Sequence, residues 1–400
     1  MIILFIHEGF PGQFKYLASI LAQDEMNLVL YLTADAEIPT EAGINKIVYK
    51  PEEIPKNTNS LIYNFEKKLA HSKAVAKMLE LIKSKDIIPD VIFGHSGCMF
   101  VKDIFPDVPF IKYSEWVDTN DFPAIKFSGE NINDDYKEQL ILSSAHDFCE
   151  LEQADGAISP LEWQKAQYPK SLQQKITVIH DGVNTNICKP NPDATFEFEG
   201  KTYTTDDEIV TYATRGMEPV RGFPQFMKAA EILLKKRPNV TIFVGGLDKV
   251  CYGKPLKNDT WKQKMLRELD LDMSRIHFIG GQDYEDYIKL LQTTSAHVYA
   301  TYPFVLSWSL IESLSCGTPL ICSSTEPVLE VIKDNYNGLL YDFYNINMMV
   351  EKVEFALDNK DKMKEIRTNA RNTAIEKFNL ADKLAEQIYY IQNIIKNSKA

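Results

Sequence analysis

The sequence predicts an α/β protein of two doubly wound domains, each a parallel sheet covered on both faces by helices. Three observations predict it. At 400 residues the chain is too long for one hydrophobic core and fits two domains of roughly 150–200 residues each. Short apolar runs alternate with stretches of helical spacing, as parallel strands joined by crossover helices require. The alternation breaks at a proline-bearing segment near residue 190 and then restarts.

Ile2–Ile6 is the first apolar run, closed by Gly9, Pro11 and Gly12; Phe14, Leu17, Ala18 and Leu21 then recur at helical spacing. Asn27–Leu32 is the second strand. Leu69–Ser84 is a lysine-bearing amphipathic helix leading to the buried-type strand Asp90–Phe93, and Pro109–Tyr113 and Ala157–Ser159 continue the series. Lys189–Lys201, with Pro190, Pro192, Asp193 and Gly200, reads as a linker plus a small hairpin. Beyond it, Glu208–Thr214 is a strand, and Phe226, Met227, Ala230, Leu233 and Leu234 mark one helix face. Val240–Val244 and Ile276–Ile279 end at paired glycines (Gly245-Gly246, Gly280-Gly281), and His297–Ala300 and Pro319–Cys322 follow. Leu380–Ile395 is a long amphipathic helix suited to crossing back to the first domain. The expected division is 1–190, 191–380 and a final helical segment 381–400. Ligands of open parallel sheets bind outside the carboxyl ends of the strands, so two sheets facing one crevice can hold one substrate each.

The hydrophobic fraction of 44% and charged fraction of 25% are those of an ordinary globular chain. No apolar run approaches the roughly 18 residues of a spanning helix, and Met1–Ile6 meets His7 and Glu8 too soon for a signal peptide. Six cysteines (98, 149, 188, 251, 316, 322) lie without close pairs, which points to a reducing cytoplasm and away from a zinc module. A net charge of −12 argues against wholesale binding to nucleic acid or anionic lipid.

The most informative stretch is Thr214-Arg215-Gly216-Met217-Glu218-Pro219-Val220-Arg221-Gly222, which follows a strand and opens a helix. Backbone N–H groups at such a place favour an anion. Two arginines six apart suit a ligand with two phosphates, each contact worth roughly 4 kcal/mol before desolvation at about 4 Å and an effective dielectric near 20. Glu312 sits on a short helix ended by Gly317, where a carboxylate can accept from a diol. His95 follows a strand at the sheet's carboxyl end, next to Ser96-Gly97, where an imidazole can hydrogen-bond a ligand. The loop His7–Phe14 lacks the G-x-G-x-x-G fingerprint, so a nicotinamide cofactor is not expected, although Gly12 permits close backbone approach.

These motifs carry a resemblance. Arg215 and Arg221-Gly222 resemble the donor-pyrophosphate clamp of family 4 glycosyltransferases, retaining enzymes of GT-B architecture. Val178–Asn184 with Lys189-Pro190 looks like the family's "NGVD…F.P" segment, and Ala154–Pro160 like its "ADAVVAPS" strand. Leu310–Pro319 is similar to its "LLEAMACGTP" signature. The resemblance implies two Rossmann-like domains about a central cleft, an acceptor side in the first and donor binding in the second. It implies that Arg215 and Arg221 bind the diphosphate, that Glu312 holds the nucleotide ribose, and that His95 contacts the donor sugar. Gly12 would lie under the donor phosphates, and Gly245 and the segment Phe278–Gly280 would meet the base. Phe304 stands where the family's first glutamate would be, leaving Phe304, Val305, Leu306 and Ser307, with backbone amides at a helix start, to hold phosphate or sugar hydroxyls. Glu115 is a weaker acceptor-binding candidate.

The implied reaction moves a sugar from a UDP- or GDP-linked donor to a glycan, lipid-carrier, protein or small-molecule acceptor, with no metal and no cofactor beyond the donor. Asp270-Leu271-Asp272 matches an Asp-x-Asp metal motif but lies in the charged tail of a helix rather than after a buried strand. Tyr252, Lys254 and Lys257 read as a solvated loop, and the lysine helix 67–83 as a solvated face, with peripheral contact to a membrane bearing lipid-linked acceptors as its second use. A non-catalytic sugar-nucleotide-binding subunit, a GT-B-like epimerase and a glycoside phosphorylase are the rival readings.

Overall fold

The computed structural model describes residues 1–55, 58–117, 123–131 and 133–398. The chain divides into two units, one made of Met1–Asp181 plus the segment from Ala381 on, the other of Gly182–Leu380. The first contains seven parallel strands: β1 (Ile2–Ile6), β2 (Leu28–Thr33), β3 (Ile44–Val48), β4 (Val91–Gly94), β5 (Phe110–Tyr113), β6 (Gly156–Ser159) and β7 (Ile176–Val178). Their order is β3-β2-β1-β4-β5-β6-β7. Successive side chains feed opposite cores, as the period of two along a strand requires. Ile3, Phe5, Val29, Tyr31, Val91 and Phe93 pack with Phe14, Leu17 and Leu21 on one face. Leu4, Ile6, Leu30, Leu32 and Ile92 pack with Val75, Leu79 and Ile82 on the other. The final helix, Leu380–Ser398, covers the first of these faces through Ile391, Leu384, Ile388 and Ile394. Its Tyr390 hydroxyl donates to the Ala157 carbonyl at 3.2 Å.

The second unit starts with an antiparallel hairpin, β8 (Thr195–Phe198) and β9 (Lys201–Thr204), turned by Glu199 and Gly200 at φ 48° and 77°. Two successive left-handed residues make the two-residue turn whose twist matches the strands. Six parallel strands follow: β10 (Ile209–Gly216), β11 (Thr241–Leu247), β12 (Ile276–Gly280), β13 (Ala296–Tyr299), β14 (Leu320–Ser323) and β15 (Leu339–Tyr341). Their order is β12-β11-β10-β13-β14-β15. Counted from its own first parallel strand, each sheet runs third, second, first, fourth, fifth, sixth, and the first sheet adds a seventh. This is the doubly wound order, and its switch point, where ligands bind, lies between the first and fourth strands. In the two units these are β1/β4 and β10/β13.

The two compact units meet at 181/182. Residues 183–188 are tied into the second unit by Val183 N–H to the Phe378 carbonyl (2.8 Å) and by Arg371, which donates to the Thr185 and Cys188 carbonyls at 2.8 and 2.7 Å. Strand β10 runs two residues beyond the expected end, so Arg215 lies on the strand and not in the turn. Strands β3, β7 and β15 were not legible because they are short edge strands, β3 with Asn45 and Lys46 in its middle. No helix among the described residues is long and apolar enough to cross a membrane.

Candidate functional site

At the second unit's switch point, β10 ends at Gly216, Pro219–Arg221 makes one 3-10 turn, and Gly222 at φ 70° caps the helix Phe223–Lys236. The turn folds Arg221 back over the end of β13, where it is only 7% exposed. Its Nη1 donates to Thr301 Oγ1 at 2.9 Å and its Nη2 to the Val305 carbonyl at 3.1 Å. The guanidinium lies 5.2 Å from the Tyr252 ring and 5.3 Å from the Phe304 ring, whose centroids are 5.1 Å apart. Such cation–π contacts hold a cation without neutralising it. Arg215 is exposed. A side-chain hydrogen bond with Tyr252 raises its pKa further above the ordinary guanidinium value.

Tyr252 is exposed, but its side chain is engaged by both arginines. The loop is held by Glu218, which is fully buried and accepts from the backbone N–H groups of Cys251, Tyr252 and Gly253 at 3.1, 2.9 and 2.7 Å. Neither Glu218 nor Thr301 was singled out in the sequence; the available signal for Glu218 was its place midway between the two arginines.

Glu312 lies on the helix Trp308–Ser315 that follows Val305. Its Oε1 accepts from the Tyr284 hydroxyl at 2.9 Å, and that hydroxyl also lies 3.2 Å from Cys188 Sγ. Burial raises the Glu312 pKa against the opposing pull of the Tyr284 hydrogen bond. The helix start differs from expectation. The Ser307 N–H donates to the Tyr299 hydroxyl at 3.0 Å, and Ser307 Oγ caps the helix by accepting from Ser309 N–H at 3.2 Å. That amide is engaged within the fold, because Tyr299 at the end of β13 reaches it directly.

Gly245 and Gly280 face each other across the β11–β12 pair, and the Phe278 ring lies under Lys262 Nζ at 4.5 Å. Asp272 is engaged by Arg275 at 2.7 Å and Asp270 by Lys235 at 3.2 Å, both at the surface. Among the described residues no three His, Cys, Asp or Glu side chains gather to hold a metal ion.

The first unit's switch point brings together two histidines, one after β1 and one after β4. The His7 and His95 rings lie 4.4 Å apart. Gly9 N–H donates to His7 Nδ1 at 2.9 Å, so the His7 proton sits on Nε2, which donates to Gln13 Oε1 at 2.6 Å. Gln13 Nε2 donates to Glu115 Oε1 at 3.0 Å, and Glu115 Oε2 pairs with His95 Nε2 at 3.2 Å. A Cβ at Gly12 would lie 2.6 Å from the His7 ring, so glycine is needed there to seat the imidazole. Both Glu115 oxygens are thus engaged within the unit. His7 and Gln13 were read only as turn residues, yet they complete this chain.

Beneath it, Lys112 on β5 is 1% exposed and donates to the His95 carbonyl and to Glu150 Oε2. Glu150 is itself fully buried, and its other oxygen accepts from Cys98 N–H at 2.5 Å. Desolvation would lower the Lys112 pKa, but Glu150 and Asp147 outweigh it and hold the ammonium above its ordinary value.

Burial pushes His7 and His180 down to about 3 and His297 down to about 4. The unfolded chain takes up these protons near pH 6.5, roughly, so between there and pH 3–4 it binds protons that the folded chain refuses. Their contribution is complete above about pH 6.5 and is lost as pH falls. The urea midpoint is expected to decline steadily from pH 7 to 4, with a shallower decline in His297→Gln; a flat midpoint would count against it.

Two doubly wound units, with an arginine pocket at one switch point and a histidine pair at the other, fit the GT-B fold. Sucrose-phosphate synthase from Thermosynechococcus elongatus superposes with a TM-score of 0.73 at 17% identity, covering 99% of this chain and 100% of that one. HepE from Anabaena, solved in complex with UDP-glucose, superposes with a TM-score of 0.68 at 16% identity, covering 98% and 100%. Residues 25–188 match the family described as Glycosyl transferase family 4 group and residues 193–373 that described as Glycosyl transferases group 1. The chain belongs to the group 1 glycosyltransferases. A D-inositol 3-phosphate glycosyltransferase of Thermobispora bispora is 22% identical over 62% of this chain and 54% of its own length. An N,N'-diacetylbacillosaminyl-diphospho-undecaprenol alpha-1,3-N-acetylgalactosaminyltransferase of Campylobacter jejuni is 26% identical over 26% of this chain and 28% of its own. The chain thus spans about half the length of the first of these relatives and about a quarter of the second.

Proposed function

We propose that the protein is a retaining, metal-independent transferase that moves a hexosyl group from a nucleoside-diphosphate sugar to a hydroxyl-bearing acceptor. One observation carries this reading: Arg221 is buried and braced at the second switch point, with Arg215 sharing its Tyr252 contact and Glu312 on the helix that follows Val305. In this reading Arg215 and Arg221 neutralise the diphosphate as its negative charge grows in the transition state, the largest single lever on such a reaction. Glu312 accepts from the ribose diol and His95 meets a sugar hydroxyl. The bond from the anomeric carbon to the phosphate oxygen breaks while the acceptor oxygen bonds the same face of that carbon, and the acceptor proton passes to the departing diphosphate. HepE was solved with UDP-glucose, which makes UDP the first nucleotide to test.

The test incubates the chain with UDP- and GDP-sugars in the presence of chelator, with and without sugar, inositol-phosphate and polyprenyl-diphosphate-sugar acceptors. Diphosphate release and the anomeric configuration of the product are followed by NMR. Release of UDP or GDP with the donor's anomeric configuration kept is the expected result. Binding without release would instead favour a non-catalytic subunit, and an inverted product would overturn the retaining mechanism.

A further inference from the structure

Glu218 stands between the two arginines in sequence, but its carboxylate is turned to the loop after β11. One oxygen accepts from Cys251 N–H (3.1 Å) and Tyr252 N–H (3.2 Å), the other from Tyr252 N–H (2.9 Å) and Gly253 N–H (2.7 Å). Three successive amides converging on one carboxylate is the arrangement in which backbone nests hold bound anions. Here the anion is a buried side chain of the protein itself. The loop can come this close because residue 216 is glycine: a Cβ there would lie 2.5 Å from the Lys249 carbonyl oxygen and 2.8 Å from Cys251 Sγ.

Pinned in this way, Tyr252 sets its ring against Arg221 and Phe304 and its hydroxyl against Arg215. Tyr252 is 43% exposed, so burial alone does not place it. A long arginine side chain loses rotamer freedom when it grips a ligand, and a partner that orders it beforehand reduces that loss. We infer that Glu218 is a positioning residue: by gathering the amides of Cys251–Gly253 it seats Tyr252 as a brace that holds both guanidinium groups ready for a nucleoside diphosphate. The inference rests on reading Arg215 and Arg221 as the diphosphate clamp.

The test uses the full chain, UDP as the probe in calorimetry, and amide hydrogen exchange over residues 248–258. Glu218→Gln removes the charge and one acceptor. It is expected to raise exchange in that loop at least about tenfold and to weaken UDP roughly threefold to tenfold, the range for loosening one or two side chains. Tyr252→Ala leaves the buried carboxylate in place and is expected to weaken UDP by a similar factor. The double variant is expected to be no weaker than Tyr252→Ala alone, because residues that act through one contact are not additive. UDP affinity unchanged in Tyr252→Ala, or fully additive losses, would overturn the inference, and the first readout stands even if Glu218→Gln fails to fold. Wild-type chain that binds neither UDP nor GDP would sink the clamp and the inference together. Binding that Arg215→Ala and Arg221→Lys weaken but Glu218→Gln does not would sink the inference alone.

Discussion

Arg215→Ala combined with Arg221→Ala is expected to weaken nucleoside-diphosphate binding by about 10²- to 10⁴-fold. Each charge-assisted hydrogen bond to a phosphate is worth about 1.5–3 kcal/mol net, so losing one from each arginine costs about 3–6 kcal/mol. The two singles are expected to differ in kind. Arg215 is exposed and spends little on the fold, so its loss is expected to change affinity with little effect on melting. Arg221 also holds buried Thr301 and the half-buried Val305 carbonyl, so its removal leaves these acceptors without that donor and is expected to lower stability as well. Arg221→Lys keeps the charge but not the planar fork that reaches both partners, and is expected to recover only part of the affinity. Calorimetry with UDP and GDP, paired with thermal melts, reads both effects. Unchanged affinity in the folded double variant would remove the basis of the proposed function.

Lys112→Met is expected to destabilise the first unit by about 3–5 kcal/mol, the usual cost of removing one member of a buried ion pair. The cost falls mainly on Glu150, left enclosed without its ammonium partner and with the Cys98 amide and His146 Nδ1, at 3.4 Å, beside one of its oxygens. The segment His95–Cys98 also loses the ammonium that fastens the His95 carbonyl. Replacing the pair with apolar residues of similar size, as in Lys112→Met with Glu150→Met, is expected to return most of the stability, because such exchanges are often neutral. Urea unfolding of the single and double variants separates these outcomes. A single-variant loss below about 1 kcal/mol, the value typical of exposed pairs, would show that Lys112 has no such role.

What the sequence revealed and concealed follows from distance along the chain. The strands with continuous apolar runs, the two arginines, Glu312 on its short helix and His95 at a strand end are all set by neighbours within a few residues. Glu218 finds its partners 33–35 residues on, and Lys112 meets Glu150 38 residues on, so no local pattern announces either. The helix carrying Glu150, Asp134–Gln153, escaped notice for a related reason. It buries Ser143, Ser144, His146 and Glu150, and so shows no apolar stripe at helical spacing. The Ser307 amide at its helix start is met by Tyr299, eight residues earlier, a contact that no motif in the sequence announces.

The segment from Ala381 on completes the first unit's core, while the second unit is continuous from Gly182 to Leu380. During synthesis at about 5–20 residues per second, roughly 200 residues separate the two parts of the first unit, a delay of about 10–40 s. Throughout that interval the nascent chain holds a sheet whose β6 end lacks Tyr390 and Ile394, the groups that lie against Gly156. The earlier-made half therefore waits, partly open, for a closing helix that is made only after the whole of the second unit.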